Sequence, residues 1–486
     1  MIIVQRTALA CAVMLTLATF VACRQESPTV AKLPSPSPSI VPLETPMVEP
    51  SLSPRSADYS FLTLPVIDAF LTDDAFVGKV QKQLGLTDEQ LAKLRSRARQ
   101  VTANLRETAA DTYTYSTAEA HEQAMRALQE LLGEPKAQEF AKFVFEHWGE
   151  DLEVSNASSD SSPTPTPSGS PAVKKNGLPT AVNAIPSDTR IVVNTPAFRM
   201  DIFQDGQLRK SYKIGIGYPE FPIPVALRKA NTLIFNPTWT PPDEPWVESK
   251  TSKVKVGQTV AAGSSLNPLG PVKIPIGSPS LIHGGKAPAK IGTFASHGCV
   301  GLTDAQVQEF AELLADVSGA PLTQDQLMQY AQKRTETKNV KLPKTIPVEL
   351  RYETIVVEDG KLHIYRDVYD RNTNSEAELK RVLQTYDVNW DELSKKEQQS
   401  LQAALKSMAR DATGKADALS ATPSPSATPA AKKDDKQPER RPITRTVKGA
   451  KEMVIELAAL EGKGYPAPVD LNTGVPSKPA KATKKK

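Results

Sequence analysis

Proline sets the outer limits of what this chain can fold into. Of its 41 prolines, 15 crowd together with Ser and Thr into Ser27–Ser56, Asn156–Pro171 and Thr422–Pro429. Proline fixes φ and removes the backbone donor that helices and ladders need. These runs also hold too few apolar side chains to offset the entropy of ordering them, so they read as tethers. The chain is therefore expected as a string of modules of α+β class: residues 1–22 a signal segment, 23–58 a Pro/Ser-rich linker, 59–152 a helical domain, 153–184 a second linker, 185–371 a strand-rich domain, 372–412 a helical extension and 413–486 a disordered basic tail.

Within the modules, local signals place the elements. Thr87 with Gln90 forms a capping box flanked by Leu86 and Leu91, opening an amphipathic helix to about Leu105. Ser116 with Glu119 opens another that ends near Gly133, and Pro135 starts a third carrying Phe140, Phe143, Val144 and Trp148. These imply a small bundle from Phe61 to Gly149, with His121 and His147 read as surface or cap residues. Arg190 to Phe203 alternates apolar and polar residues before the hairpin signal Asp205-Gly206, and Lys213 to Ile216 continues as strand. Val254–Val260 and Val272–Ile276 read as further strands. Thr303 with Gln306 caps a helix to about Val317, Val348–Val357 and Leu362–Tyr365 pair around Asp359-Gly360, and Ser375–Arg410 is helical. The apolar island Met453–Leu460 is expected to form no more than a transient helix in the tail.

Charge excludes little globally. With 59 basic and 55 acidic residues the net charge is +4, which argues for no nucleic-acid partner. The tail is locally basic and ends Lys484-Lys485-Lys486; it is either a solvated segment or a weak contact for anionic envelope polymers. At the other end, Arg6 precedes an apolar run, Ala8–Ala22, that is too short to span a bilayer comfortably and resembles an export signal. Phe20-Val21-Ala22-Cys23 resembles a lipobox, in which Cys23 would carry lipid and hold the protein to a membrane; ordinary cleavage near Ala22 is the alternative. Either way Cys11 leaves with the signal. With Cys23 lipidated, Cys299 is the one thiol of the mature chain.

That thiol has a chemical setting. A cysteine is a poor nucleophile until deprotonated, so it needs an imidazole in reach and N–H groups aimed at a developing oxyanion. His283 and the run Ser296-His297-Gly298-Cys299 lie twelve residues apart, with Gly284, Gly285 and Gly292 between them to fold the chain back. The helix start after Cys299 is expected to favour a thiolate. A zinc site on His283, His297 and Cys299 is disfavoured because a single Gly separates the last two and no acidic residue between Ser296 and Leu302 completes the set. A papain-like protease would place its cysteine before the histidine, the reverse of the order here.

The same stretch, Ile282-His283-Gly284-Gly285 followed by Ser296-His297-Gly298-Cys299-Val300, resembles the signature of the L,D-transpeptidases with a YkuD-type catalytic domain, in particular their periplasmic or lipoprotein-like branch. Asn236-Pro237-Thr238-Trp239 and Asn267-Pro268-Leu269-Gly270-Pro271 resemble other segments of that family, and the likeness covers Ile185 to about Arg371. The resemblance implies a β-rich catalytic domain that acts on peptidoglycan stem peptides at the cell envelope, with no cofactor and no metal. It implies that Cys299 is the nucleophile, His283 the general base, and the Gly284 carbonyl the group that orients the imidazole. Ser296, His297 and Gly298 would shape the loop, and the N–H groups of Gly298 and Cys299 would form the oxyanion hole. Two positions depart from the pattern: Gly301 stands where the family has Arg or Asn touching substrate, and Ala226 stands for a glycine. The implied reaction is acyl transfer to an amine. Hydrolysis through the same acyl-enzyme and a non-catalytic, peptidoglycan-binding envelope lipoprotein are the alternatives.

Overall fold

The computed structural model describes residues 61–103, 116–150, 182–245, 247, 253–408, 447 and 449–471. The segment expected to be an export signal, with Cys11 and Cys23, and the runs Ser27–Ser56, Asn156–Pro171 and Thr422–Pro429, lie outside the described residues. The architecture is α+β, with helices first and a large sheet after them.

Five helices open the described chain: α1 (Leu64–Leu71), α2 (Asp74–Leu84), α3 (Asp88–Thr102), α4 (Thr117–Leu132) and α5 (Glu134–Glu150). The capping boxes at Thr87/Gln90 and Ser116/Glu119 both form, each satisfying two N-terminal donors and contributing about 1 kcal/mol. The apolar faces of the helices meet in one core that includes Phe70, Phe76, Leu94, Leu128, Phe140 and Trp148. His147, expected at the surface, is instead buried there, its ring stacked on Phe143 and tilted against Phe76. The last turn of α5 faces this core, so the position on the helix outweighs the polarity of the ring.

The central sheet has eight strands in the order β3-β2-β1-β10-β5-β6-β7-β9. They are β1 (Arg190–Asn194), β2 (Arg199–Gln204), β3 (Gln207–Lys213), β5 (Ala226–Phe235), β6 (Val272–Pro275), β7 (Leu281–His283), β9 (Val300–Gly301) and β10 (Lys338–Arg351). A separate parallel pair joins β4 (Ile216–Gly217) to β8 (Phe294–Ser296). The alternating stretch Arg190–Phe203 is itself a hairpin, β1 to β2, whose turn passes through Phe198 at a φ of 50°. The strand expected at Val254–Val260 does not form; that segment turns, and only Val260 bridges to Trp239. Its apolar positions alternate with Lys and Gly and find no neighbouring strand edge. Helix α6 (Asp304–Ser318) starts at the Thr303/Gln306 capping box and lays Val307, Phe310, Ala311 and Leu314 onto the sheet, giving the main core. Helix α7 (Gln324–Gln332) follows it.

A third core joins segments from either side of the expected boundary at 371. Strands β11 (Ile355–Glu358), β12 (Lys361–Tyr365) and β13 (Glu452–Glu456) pack under helices α8 (Glu376–Thr385) and α9 (Lys395–Met408). The disordered tail expected from 413 is thus corrected over 449–471, because β13 pairs with β12 and Tyr465 packs edge-on against Phe203. Met453–Leu460 is not a transient helix: Met453 and Ile455 pack against the third core while Glu452 and Glu456 face out, a period of two that suits a strand. Among the described residues, no helix is long and apolar enough to cross a membrane.

Candidate active site

Strand pairing brings the two ends of the motif together. β7 and β9 run parallel in the sheet, with Ile282 opposite Val300 and His283 opposite Gly301, so Cys299, just before β9, falls beside Leu281, two residues before His283 on the neighbouring strand. Both line one cleft of about 580 Å³, within the ~300–1,000 Å³ typical of small-molecule sites.

Each side chain of the motif is held. The His283 Nδ1 lies 2.7 Å from the Gly284 carbonyl oxygen. A carbonyl only accepts, so the proton sits on Nδ1 and Nε2 carries the basic lone pair. The Gly285 N–H donates to Asp304 Oδ1 at 2.7 Å, tying the Gly284-Gly285 turn to the first residue of α6. Gly270, at a φ of 66°, packs on the same turn so closely that an added Cβ would come 2.3 Å from the Gly285 nitrogen, which explains the glycine of the Asn267–Pro271 segment. Asn236 and Asn267 brace the neighbouring loops: Asn236 Nδ2 donates to the carbonyls of Tyr330 and Lys333, and Asn267 Nδ2 donates to that of Pro237 at 2.7 Å.

The loop that leads into Cys299 closes on itself. The Ser296 hydroxyl donates to the Cys299 carbonyl and accepts the Cys299 N–H at 3.0 Å, so that N–H, expected in an oxyanion hole, is engaged with Ser296 in this structure. Gly298 adopts a φ of 89°, and its carbonyl accepts from Ser280 Oγ at 3.1 Å. His297 stands edge-on between the rings of Tyr218 and Phe221, with centroids 5.2 and 4.8 Å away. It is a packed member of the loop.

Electrostatics differ from the expectation of a ready thiolate. Burial pushes the Cys299 thiol up; contact with the Leu281 backbone and the charge of Lys286 oppose this without overcoming it. The helix start that was expected to help lies beyond β9, at Asp304, where its partial charge is too remote to offset desolvation. Burial, with Lys286 adding to it, also lowers His283 to about 3 and His297 to about 3, so both rings are neutral at neutral pH. The resting pair is a neutral thiol and a neutral imidazole. Such a pair works by moving the proton as the sulfur attacks, not by storing a thiolate.

Lys286 was not singled out in the sequence. It lines the cleft, and its chain lies across Gly301, where an added Cβ would meet its Cγ at 2.8 Å. The aliphatic chain of Lys286 therefore occupies the space of the side chain missing at Gly301. Trp239 and Glu244 also line the cleft, as do Val66 and Ala69 of α1 and Trp148 of α5, which periodicity marks only as helix-core positions. Among the described residues, no group of three or more His, Cys, Asp or Glu side chains is placed to hold a metal ion.

This geometry can be set beside known proteins. Residues 188–339 match the L,D-transpeptidase catalytic domain, the YkuD family. The match falls inside the expected domain at 185–371 and contains His283, Cys299 and both asparagine segments. No curated protein matches the chain. Among solved structures, the catalytic domain of the E. faecium L,D-transpeptidase is 16% identical, with 35% of this chain and 100% of that one covered at a TM-score of 0.22. A mutant of the Enterococcus faecium L,D-transpeptidase is 15% identical over 34% of this chain and 50% of that one, at a TM-score of 0.21. An L,D-transpeptidase from Mycobacterium tuberculosis H37Rv is 15% identical over 34% of this chain and 57% of that one, at a TM-score of 0.19. The chain spans 49% of the first structure matched, a carbamoyl enzyme formed with avibactam. Superpositions at these scores carry no argument about this chain.

Proposed function

We propose that this protein is an exported L,D-transpeptidase that acts on peptidoglycan stem peptides through a thioester on Cys299. The observation that carries the reading is that adjacent parallel strands, β7 and β9, bring His283 and Cys299 into the lining of a single cleft, with the imidazole tautomer set by the Gly284 carbonyl. As Cys299 Sγ attacks the carbonyl of the third stem residue, its proton passes to His283 Nε2. The same proton leaves on the amine of the departing D-alanine. An acceptor amine then attacks the thioester, gives up a proton to His283 and restores the thiol. The Gly298 N–H, in a loop held by Ser296 and Ser280, is the oxyanion donor this reading assigns. Stem peptides carry carboxylates, and Lys286 and Lys253 in the cleft are the complementary charges.

Product analysis separates transfer from hydrolysis. With purified disaccharide-tetrapeptide, wild type should yield cross-linked dimers, and Cys299→Ala should yield neither dimer nor tripeptide. Tripeptide alone would leave the acyl-enzyme intact but make the protein a carboxypeptidase, and dimers from Cys299→Ala would end the cysteine mechanism.

The envelope location rests on Ala8–Ala22 and Cys23. In this reading lipid on Cys23 anchors the chain and the basic tail adds a weak contact with anionic polymers, screened over about 8 Å at physiological ionic strength. Wild type should partition into detergent and resist release by high salt, whereas Cys23→Ser should be soluble; complete release of wild type by salt would remove the lipid anchor from the account.

A further inference from the structure

The helical module is physically part of the cleft. Val66 and Ala69 of α1, Thr72 at its end and Trp148 of α5 line the same cavity as Cys299 and Lys286. Two sets of contacts seat the module there. Thr63 Oγ1 donates to the Glu220 carbonyl and Thr117 Oγ1 to the Pro219 carbonyl, within the loop whose Tyr218 and Phe221 hold His297. On a second loop, Arg95 pairs with Asp243 at 2.6 Å and Arg99 with the same carboxylate at 3.1 Å, while Arg99 also donates to the Asp243 carbonyl at 2.8 Å. The residues on either side of Asp243, Pro242 and Glu244, line the cleft. Both anchoring points are thus loops that frame the thiol.

We propose that the α1–α5 module is the selecting wall of the catalytic cleft: α1 and α5 narrow it to an extended, carboxylate-bearing peptide, and the Arg95/Arg99–Asp243 pairs hold the opposite loop at that width. The apolar helical side fits aliphatic stem side chains, and the Lys286 side fits their carboxylates. Acyl donors with bulk beside the reacting carbonyl are excluded by Ala69 and Thr72. The ion pairs are between a quarter and a half exposed, so they act as a latch that opens and not as a fixed strut. The proposal deepens the reading above by naming what shapes the donor, but its test needs no turnover and so fails or succeeds independently of it.

The experiment uses the full chain and reads alkylation of the Cys299 peptide by mass spectrometry, with iodoacetamide as the small neutral probe and a pyrene maleimide as the bulky one. Arg95→Ala/Arg99→Ala should raise the maleimide rate roughly three- to ten-fold and leave the iodoacetamide rate within about two-fold, the scale on which partly exposed ion pairs move an opening equilibrium. Ala69→Phe keeps the ion pairs and adds bulk to the wall, and it should slow the maleimide relative to iodoacetamide. A maleimide rate at the wild-type value in either variant, or a parallel rise of both probes in the double variant, overturns the proposal.

Discussion

At the scale of single residues the account turns on a protonated thiol beside a neutral imidazole. Burial is the leading cause at both groups: it raises Cys299 and lowers His283 to about 3. The rate of Cys299 alkylation by iodoacetamide should therefore keep rising above pH ~8.5, the ordinary cysteine value, with no plateau near neutrality. A plateau below pH 7 would mean a preformed thiolate–imidazolium pair and would contradict this reading. The sign for stability follows. Between the ordinary histidine value of 6.5 and about 3 the unfolded chain binds a proton that folded His283 refuses, so this group's contribution falls as pH drops through that window. The sequence singled out His283 and Cys299 because a thiol with an imidazole in reach is a short-range pattern, whereas the Gly284 carbonyl came only with the family resemblance. It did not reveal Lys286 or the loss of the Cys299 N–H to Ser296, because both depend on which side chain fills a gap and how far a charge is desolvated.

At the scale of elements, legibility followed the range of the interaction. The capping boxes at Thr87, Ser116 and Thr303 are closed by residues three positions apart, and all three form as read. Strand β13 has the alternation of Met453 and Ile455, yet its partner β12 lies some ninety residues earlier in the chain, and the lysine-rich surroundings hid it. Tyr465 depends on equally distant partners. Its hydroxyl donates to Asp201 at 3.2 Å, and its ring lies 5.4 Å from the Arg199 guanidinium and 6.0 Å from that of Arg351. Arg199 is in turn paired with Asp201 at 2.8 Å and with Glu358. Tyr465→Ala should therefore cost about 3–5 kcal/mol, the range for deleting a large buried aromatic side chain, read from urea unfolding. A loss below about 1 kcal/mol, no more than a surface change produces, would return 449–471 to the status of a loose tail.

At the scale of the molecule, the proline-rich runs divide the sequence, but the helical module and the large-sheet domain line one cleft. The large sheet carries His283 and the loop of Cys299, α1 and α5 line the same cleft, and Tyr465 packs against Phe203 of β2. Division by composition treated the helical module as separate, because the contacts that seat it are single hydroxyls and arginines with no pattern in sequence. The central claim is that chemistry passes through a thioester on Cys299 formed with the help of His283. Mass analysis of the intact protein after brief exposure to purified disaccharide-tetrapeptide tests it most directly. The account predicts an acyl adduct, with D-alanine lost, that maps to the peptide holding Cys299, is absent from Cys299→Ala, and forms roughly 10²- to 10⁴-fold more slowly in His283→Ala. An adduct on Cys299→Ala, or an acylation rate unchanged in His283→Ala, would contradict it.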